Sequence, residues 1–231
     1  SLEAAGCHWP HWVVVQTEHL PLFQAISWAP EVRLLASADV LPAEVEAERR
    51  RVAGYSERYR KWRRSLNKRF GWFANASRDG WNAQQIIKLE MSSRDDADAW
   101  VALDSDVVVT GSVEAEFFAR TESVALHTQT AASHEHFVPR WNHAARQLLG
   151  LPELDQALDH NYVAHPFVFA RHTTRALIAH LEARHGRPWW QVLGSLRANT
   201  LSEFSLYGIF AREVTDMAGL YPVPANRQTF W

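Results

Sequence analysis

Ala99-Trp100-Val101-Ala102-Leu103-Asp104-Ser105-Asp106-Val107-Val108-Val109 is an apolar run interrupted by two carboxylates one residue apart. Inside a buried strand an unpaired charge costs several kcal/mol or neutralises itself, so the two acids need a cation or a good hydrogen-bonding partner. The spelling Asp-x-Asp alone says little, because Asp96-Ala97-Asp98 repeats it a few residues earlier. Only the second copy follows four apolar strand residues. That places it in a turn at the carboxyl end of a strand, where open α/β sheets hold their ligands. Two hard oxygen donors there suit Mg²⁺ or Mn²⁺, with water and substrate phosphates completing the coordination.

Other strands and helices extend outward from this run. Trp12 to Gln16 and Val32 to Ala36 have the length and β-branched content of short buried strands, and His19 to Trp28 between them suits a short helix stopped before Pro30. Two strands around a helix predict a parallel pairing. Pro42 opens a long helical region through Glu44 to Arg64, broken or bent around Gly54. Trp81 to Glu90 reads as a helix in which Trp81, Gln84, Gln85 and Lys88 share one face and Ala83, Ile86 and Ile87 the opposite one. That polar face either lines a ligand site or lies in water.

Beyond the acidic turn, Val113 to Arg120 reads as helix and Ser123 to His127 as strand, while Thr128 to Asn142, with His134, His136 and Trp141, is polar and without a clear period. A long loop of this kind is characteristically a lid or a binding loop. Ala144 to Leu149 reads as a helix ending at Gly150, His165 to Ala170 as a strand, and Thr173 to His185 as a helix closed by Gly186. Leu201 to Val214 is the last long helix, and Tyr221 to Trp231, with two prolines, an extended surface segment. The fold class expected is α/β, a mixed but mostly parallel sheet flanked by helices, in one domain over residues 1–231.

Composition narrows the function. The chain has 231 residues, 47% of them hydrophobic, enough to bury one sizeable core. No apolar window approaches the roughly 18 residues of a membrane span, and no secretory leader opens the sequence. The single cysteine, Cys7, excludes a multi-cysteine zinc site and fits a reducing compartment. No His pair has metalloprotease spacing, and Walker, dinucleotide-fingerprint and nucleophile-elbow motifs are absent. Charge is uneven: Arg49 to Arg69 holds ten basic residues against Glu57, a local +9 that leaves −11 for the rest of a chain of net −2. Such a stretch is either a surface for phosphate, anionic lipid or nucleic acid, or a solvated helix face. Glu203, in Thr200-Leu201-Ser202-Glu203, reads either as a general base or hydroxyl ligand, or as the acid of a helix capping box.

Three pieces occur in a fixed order: Gly80-Trp81-Asn82-Ala83-Gln84-Gln85-Ile86-Ile87-Lys88-Leu89, Val101-Ala102-Leu103-Asp104-Ser105-Asp106, and Ser202-Glu203-Phe204-Ser205-Leu206-Tyr207-Gly208. Together they resemble a bacterial family of GT-A-type glycosyltransferases linked to surface-polysaccharide synthesis, over about Trp12 to Arg212. The resemblance implies a GT-A-like fold and a nucleotide-diphospho-sugar donor held through Mn²⁺ or Mg²⁺. Asp106 is then the direct metal ligand, and Asp104 a second ligand or the contact to ribose or sugar. Trp81, Gln85, Lys88 and Ser105 would face the donor, and Trp141 and His165 a saccharide or lipid-linked acceptor. Glu203 would be the base or an acceptor contact. GT-A folds use a first βα unit for the nucleotide base, whereas this chain begins near the second strand. Either that unit stands upstream of the sequence, or the base is bound in another way. The resemblance leads to the expectation of a cytoplasmic enzyme touching the inner membrane through its basic segment, without nucleic acid as a partner. The rival readings are a two-metal phosphodiesterase or nuclease using Asp104, Asp106 and Glu203, and a non-catalytic module whose Arg49–Arg69 stretch binds an anionic polymer.

Overall fold

The computed structural model describes residues 9–70, 81–94, 96–107, 114–130, 136–153, 160–163, 166–196 and 199–224. The chain opens with β1 (His11–Val15), a single 3₁₀ turn, α1 (Leu20–Gln24) and β2 (Val32–Ala36), and β1 and β2 pair in parallel from His11↔Val32 to Val15↔Ala36. The β-branched runs and the intervening helix thus form the expected parallel unit. α2 (Ala43–Ala53) and α3 (Glu57–Phe70) follow, separated at Gly54.

α4 (Trp81–Ser92) leads into β3 (Ala99–Ala102), which is shorter than the apolar run because the chain turns at Asp104, whose carbonyl accepts the Val107 N–H at 3.1 Å. Val108 and Val109 lie outside the described residues. Val113, where a helix to Arg120 is expected, lies outside the described residues, and from Glu114 on the chain forms one 3₁₀ turn, Ala115–Phe117, and the short β4 (Ala119–Arg120). β5 (Ser123–Thr130) continues past His127, and α5 (Phe137–Leu149) begins inside the stretch expected to be loop. Pro139 does not prevent this, because a proline in a first turn removes an N–H that has no intrahelical partner anyway. α5 ends at Gly150 with φ 73°, the left-handed cap that glycine adopts without strain. β6 (His160–Asn161), β7 (Phe167–Ala170), α6 (Arg171–His185), α7 (Trp189–Gly194), α8 (Glu203–Glu213) and β8 (Leu220–Pro224) complete the chain.

The architecture is mixed α/β with small sheets. Among the described strands the expected single sheet is instead several small ones: β1–β2 and β5–β8, the longest pairings, are parallel, while β3–β7, β4–β5 and β5–β6 are antiparallel. The C-terminal segment is likewise a strand as far as Pro224, not a surface strap. Pro222 and Pro224 occupy alternate positions, so their missing donors face one side, away from β5, the only described partner of β8.

The core centres on β7 and α8. Every residue of β7 is buried, as is every residue of α8 from Glu203 to Ala211. A helix buried all round needs apolar partners on each face. Phe167 packs 4.6 Å from Phe204, Phe169 packs 5.0 Å from Tyr207, and the Tyr207 hydroxyl accepts the Ala170 N–H at 2.9 Å. The β1–β2 unit meets this body where Trp12 packs 6.2 Å from Trp100 of β3. Among the described residues no helix is long and apolar enough to cross a membrane.

Candidate functional site

The polar face of α4 is half covered, since Trp81 and Gln84 are exposed and Gln85 and Lys88 are not. Gln85 is buried, and Lys88 is 15% exposed, because the start of α8 covers that half. The Lys88 ammonium lies 2.8 Å from Asp104 Oδ1 and 2.8 Å from Glu203 Oε1, so it joins the turn after β3 to the first residue of α8. It also sits 4.4 Å from the Phe204 ring centroid, in cation–π range. Burial alone would lower the pKa of Lys88, but Glu203 and Asp104 outweigh it and raise it above the ordinary lysine value.

Glu203 is not a capping-box acid. The N-cap of α8 is Ser202, no side-chain cap bond forms, and Glu203 stands at the first helical position, where a negative charge is favoured. Its side chain is only 4% exposed and its partner is Lys88. A carboxylate so placed acts through the lysine more readily than it reaches a hydroxyl in solvent.

The segment before α8 is held by aromatic and amide donors. Gln85 Nε2 and Trp81 Nε1 both donate to the Leu201 carbonyl, at 3.0 and 3.4 Å, and Trp141 Nε1 donates to the Asn199 carbonyl at 3.2 Å. Asn199 has φ 57°, a left-handed conformation that Asn tolerates better than most residues. Trp81 and Trp141 lie 6.1 Å apart and Phe137 packs 4.6 Å from Trp141. Trp141 is itself buried, so the rings that reach solvent here are Trp81 and Phe137, each 38% exposed. Phe137, Asn199, Leu201 and Phe204 escaped the sequence reading. The first sits in a run without period, and the other three act through a carbonyl or a ring face.

Lys88, Asp104 and Glu203 therefore come together, while Trp81, Gln85 and Trp141 brace the adjoining segment. Ser105 and Asp106 are exposed in the turn. His165 lies outside the described residues, as does His134. The earlier Asp-x-Asp is a pair of surface ion-pair partners, Asp96 with Arg94 and Asp98 with Arg171.

The donor set fits a divalent cation only in a restricted way. Among the described residues no group of three or more His, Cys, Asp or Glu converges as a metal cage. Asp104 Oδ1 is engaged by an ammonium, and a cation on that oxygen would meet like charge. Asp106 is exposed in the turn and suits an ion that takes most of its ligands from water and substrate phosphate, as Mg²⁺ commonly does.

The molecule is thus an α/β protein with a lysine clamped between two carboxylates at the carboxyl end of a strand. A family model described as a family of unknown function, DUF6492, matches residues 9–228, and the chain belongs to that family. No curated protein and no solved structure matches it.

Proposed function

We propose that this protein is a GT-A-type glycosyltransferase that moves a sugar from a nucleotide-diphospho-sugar to a hydroxyl of a saccharide or lipid-linked acceptor. The observation that carries the reading is the bridge Asp104–Lys88–Glu203 directly after β3. It fixes an ammonium donor where a strand-end ligand would sit, and because two carboxylates outweigh its charge a leaving diphosphate there also calls for a cation. Lys88 is the donor-phosphate contact, held by Glu203 as its positioning residue. Asp104 is the contact to a ribose or sugar hydroxyl. The exposed rings of Trp81 and Phe137 offer faces to a sugar, with Trp141 behind them as support. A bound Mn²⁺ or Mg²⁺, held at Asp106, would supply further neutralisation of charge developing on the diphosphate.

The bridge speaks against a two-metal phosphodiesterase, because an ammonium occupies the space between the carboxylates that would have to share the second ion. A thermal-shift and hydrolysis screen of UDP-, GDP-, CMP- and dTDP-sugars, with and without Mn²⁺, tests the transferase reading. One donor should stabilise the protein more in the presence of the metal, and Asp106→Asn should abolish the metal-dependent part. If no donor stabilises the protein and Asp106→Asn changes nothing, the reading fails.

A further inference from the structure

The basic stretch divides into two unlike halves. In α2, Arg49 is buried and held by Glu18 and Glu46, Arg50 by Glu46, and Arg51 by Glu48, so these charges are answered within the fold. α3 is different. None of its described side chains is buried and none belongs to the hydrophobic core, yet it displays Tyr59 at 41% and Trp62 at 51% exposure. With about 100° per residue, Tyr59, Trp62 and half-buried Leu66 fall on one stripe of the helix, flanked by exposed Arg58 and Arg60. The sole acid of α3, Glu57, pairs with Lys61. A strongly basic helix that keeps two aromatic rings this exposed on one side offers that side to a surface outside the chain.

We infer that α3 is an interfacial helix that lays Tyr59, Trp62 and Leu66 into the headgroup region of an anionic lipid bilayer while its arginines meet the lipid phosphates. Trp and Tyr suit that boundary because one end of each ring is apolar and the other polar. Charge complementarity is local, since the rest of the chain is negative and would be held away from the same surface. A lipid surface fits better than nucleic acid because the stripe includes Leu66, an aliphatic side chain that a bilayer buries and on which no base stacks. This inference stands apart from the transferase reading.

Flotation of the full chain with two kinds of vesicle tests it: phosphatidylcholine alone, and equal parts of phosphatidylcholine and phosphatidylglycerol. The protein should float with the second only, and less as salt rises. The double variant Arg58→Glu/Arg60→Glu should weaken partition at least about tenfold. Trp62→Ser should weaken it by roughly the same order through lost apolar burial. Unchanged circular dichroism and unfolding midpoints establish that both variants fold, as side chains this exposed should allow. Failure to float with anionic vesicles overturns the proposal. So does a Trp62→Ser protein that binds like the wild type, or binding to duplex DNA or single-stranded RNA with none to vesicles.

Discussion

Lys88 Nζ lies 2.8 Å from Glu203 Oε1, and both side chains are largely out of solvent. Two charges buried together are mutually dependent: removing one leaves the other desolvated and unpaired. Lys88→Met should therefore destabilise the fold by about 3–5 kcal/mol. Glu203→Gln, which keeps the shape and a hydrogen-bonding oxygen, should cost about 1–3 kcal/mol. The double variant should fall well short of the sum, because the partner whose isolation was costly has gone too. Urea unfolding of the four proteins measures the coupling. Additive effects would mean that the pair does not interact as drawn.

The same pair sets an alkaline limit. Lys88 in the fold has a pKa above 10.5, because attraction to Glu203 and the bonds to Asp104 and Glu203 outweigh its burial. A lysine whose folded pKa exceeds its unfolded value contributes stability that is complete below the unfolded pKa and is lost as pH rises through the folded one. The stability gap between wild type and Lys88→Met should therefore hold from neutral pH to about pH 10 and close above it. Unfolding free energies along that range decide it. A gap that persists unchanged in strong alkali would assign the effect of Lys88 to packing rather than charge.

Much of this arrangement is legible in the sequence, and the illegible parts have physical reasons. β-branched runs marked β1 and β2, and apolar residues followed by Asp104 marked the strand-end turn. A helical wheel grouped Trp81, Gln85 and Lys88 on one face of α4. It could not say that α8 would cover part of that face, because what covers a helix is a tertiary fact. Glu203 was ambiguous because Thr200-Leu201-Ser202-Glu203 spells a capping box, and only the actual helix start, one residue after Ser202, separates the readings. α5 was hidden by a polar start containing Pro139, and β8 by prolines that its position beside β5 tolerates.

At the other end of the pH scale, Glu18 should govern part of the acid response. Arg49 donates Nη1 and Nη2 to its two carboxylate oxygens at 3.1 and 2.7 Å, and these bonds lower the Glu18 pKa from 4.5 to about 2 despite partial burial. A carboxylate with a depressed pKa contributes stability that is present above its unfolded value and is lost as pH falls through the folded one. Because the Glu18 side chain is 43% exposed, solvent screening reduces that contribution to about 1 kcal/mol. Glu18→Gln should be less stable than wild type by that amount near neutral pH, and the difference should shrink below about pH 4 and vanish only below about pH 2. A difference that does not shrink on acidification would sink the assignment.

Gly208 should tolerate no side chain. It sits inside α8, where alanine is ordinarily the better helix former by about 1 kcal/mol. A Cβ built there would stand 2.1 Å from Tyr162 Cδ1 and 2.4 Å from Cγ, well inside contact distance. Tyr162 is 2% exposed, and what the methyl would strike is the stem of its ring rather than a flexible tip, so the ring has nowhere to move without opening the core. Overpacking of this kind costs about 1–3 kcal/mol, enough to reverse the gain in helix propensity. Gly208→Ala should lower the unfolding free energy accordingly, and pairing it with Tyr162→Leu should recover part of the loss by removing the obstructing ring. If Gly208→Ala alone proves neutral or stabilising in urea unfolding, α8 and Tyr162 are not packed as closely as the structure has them.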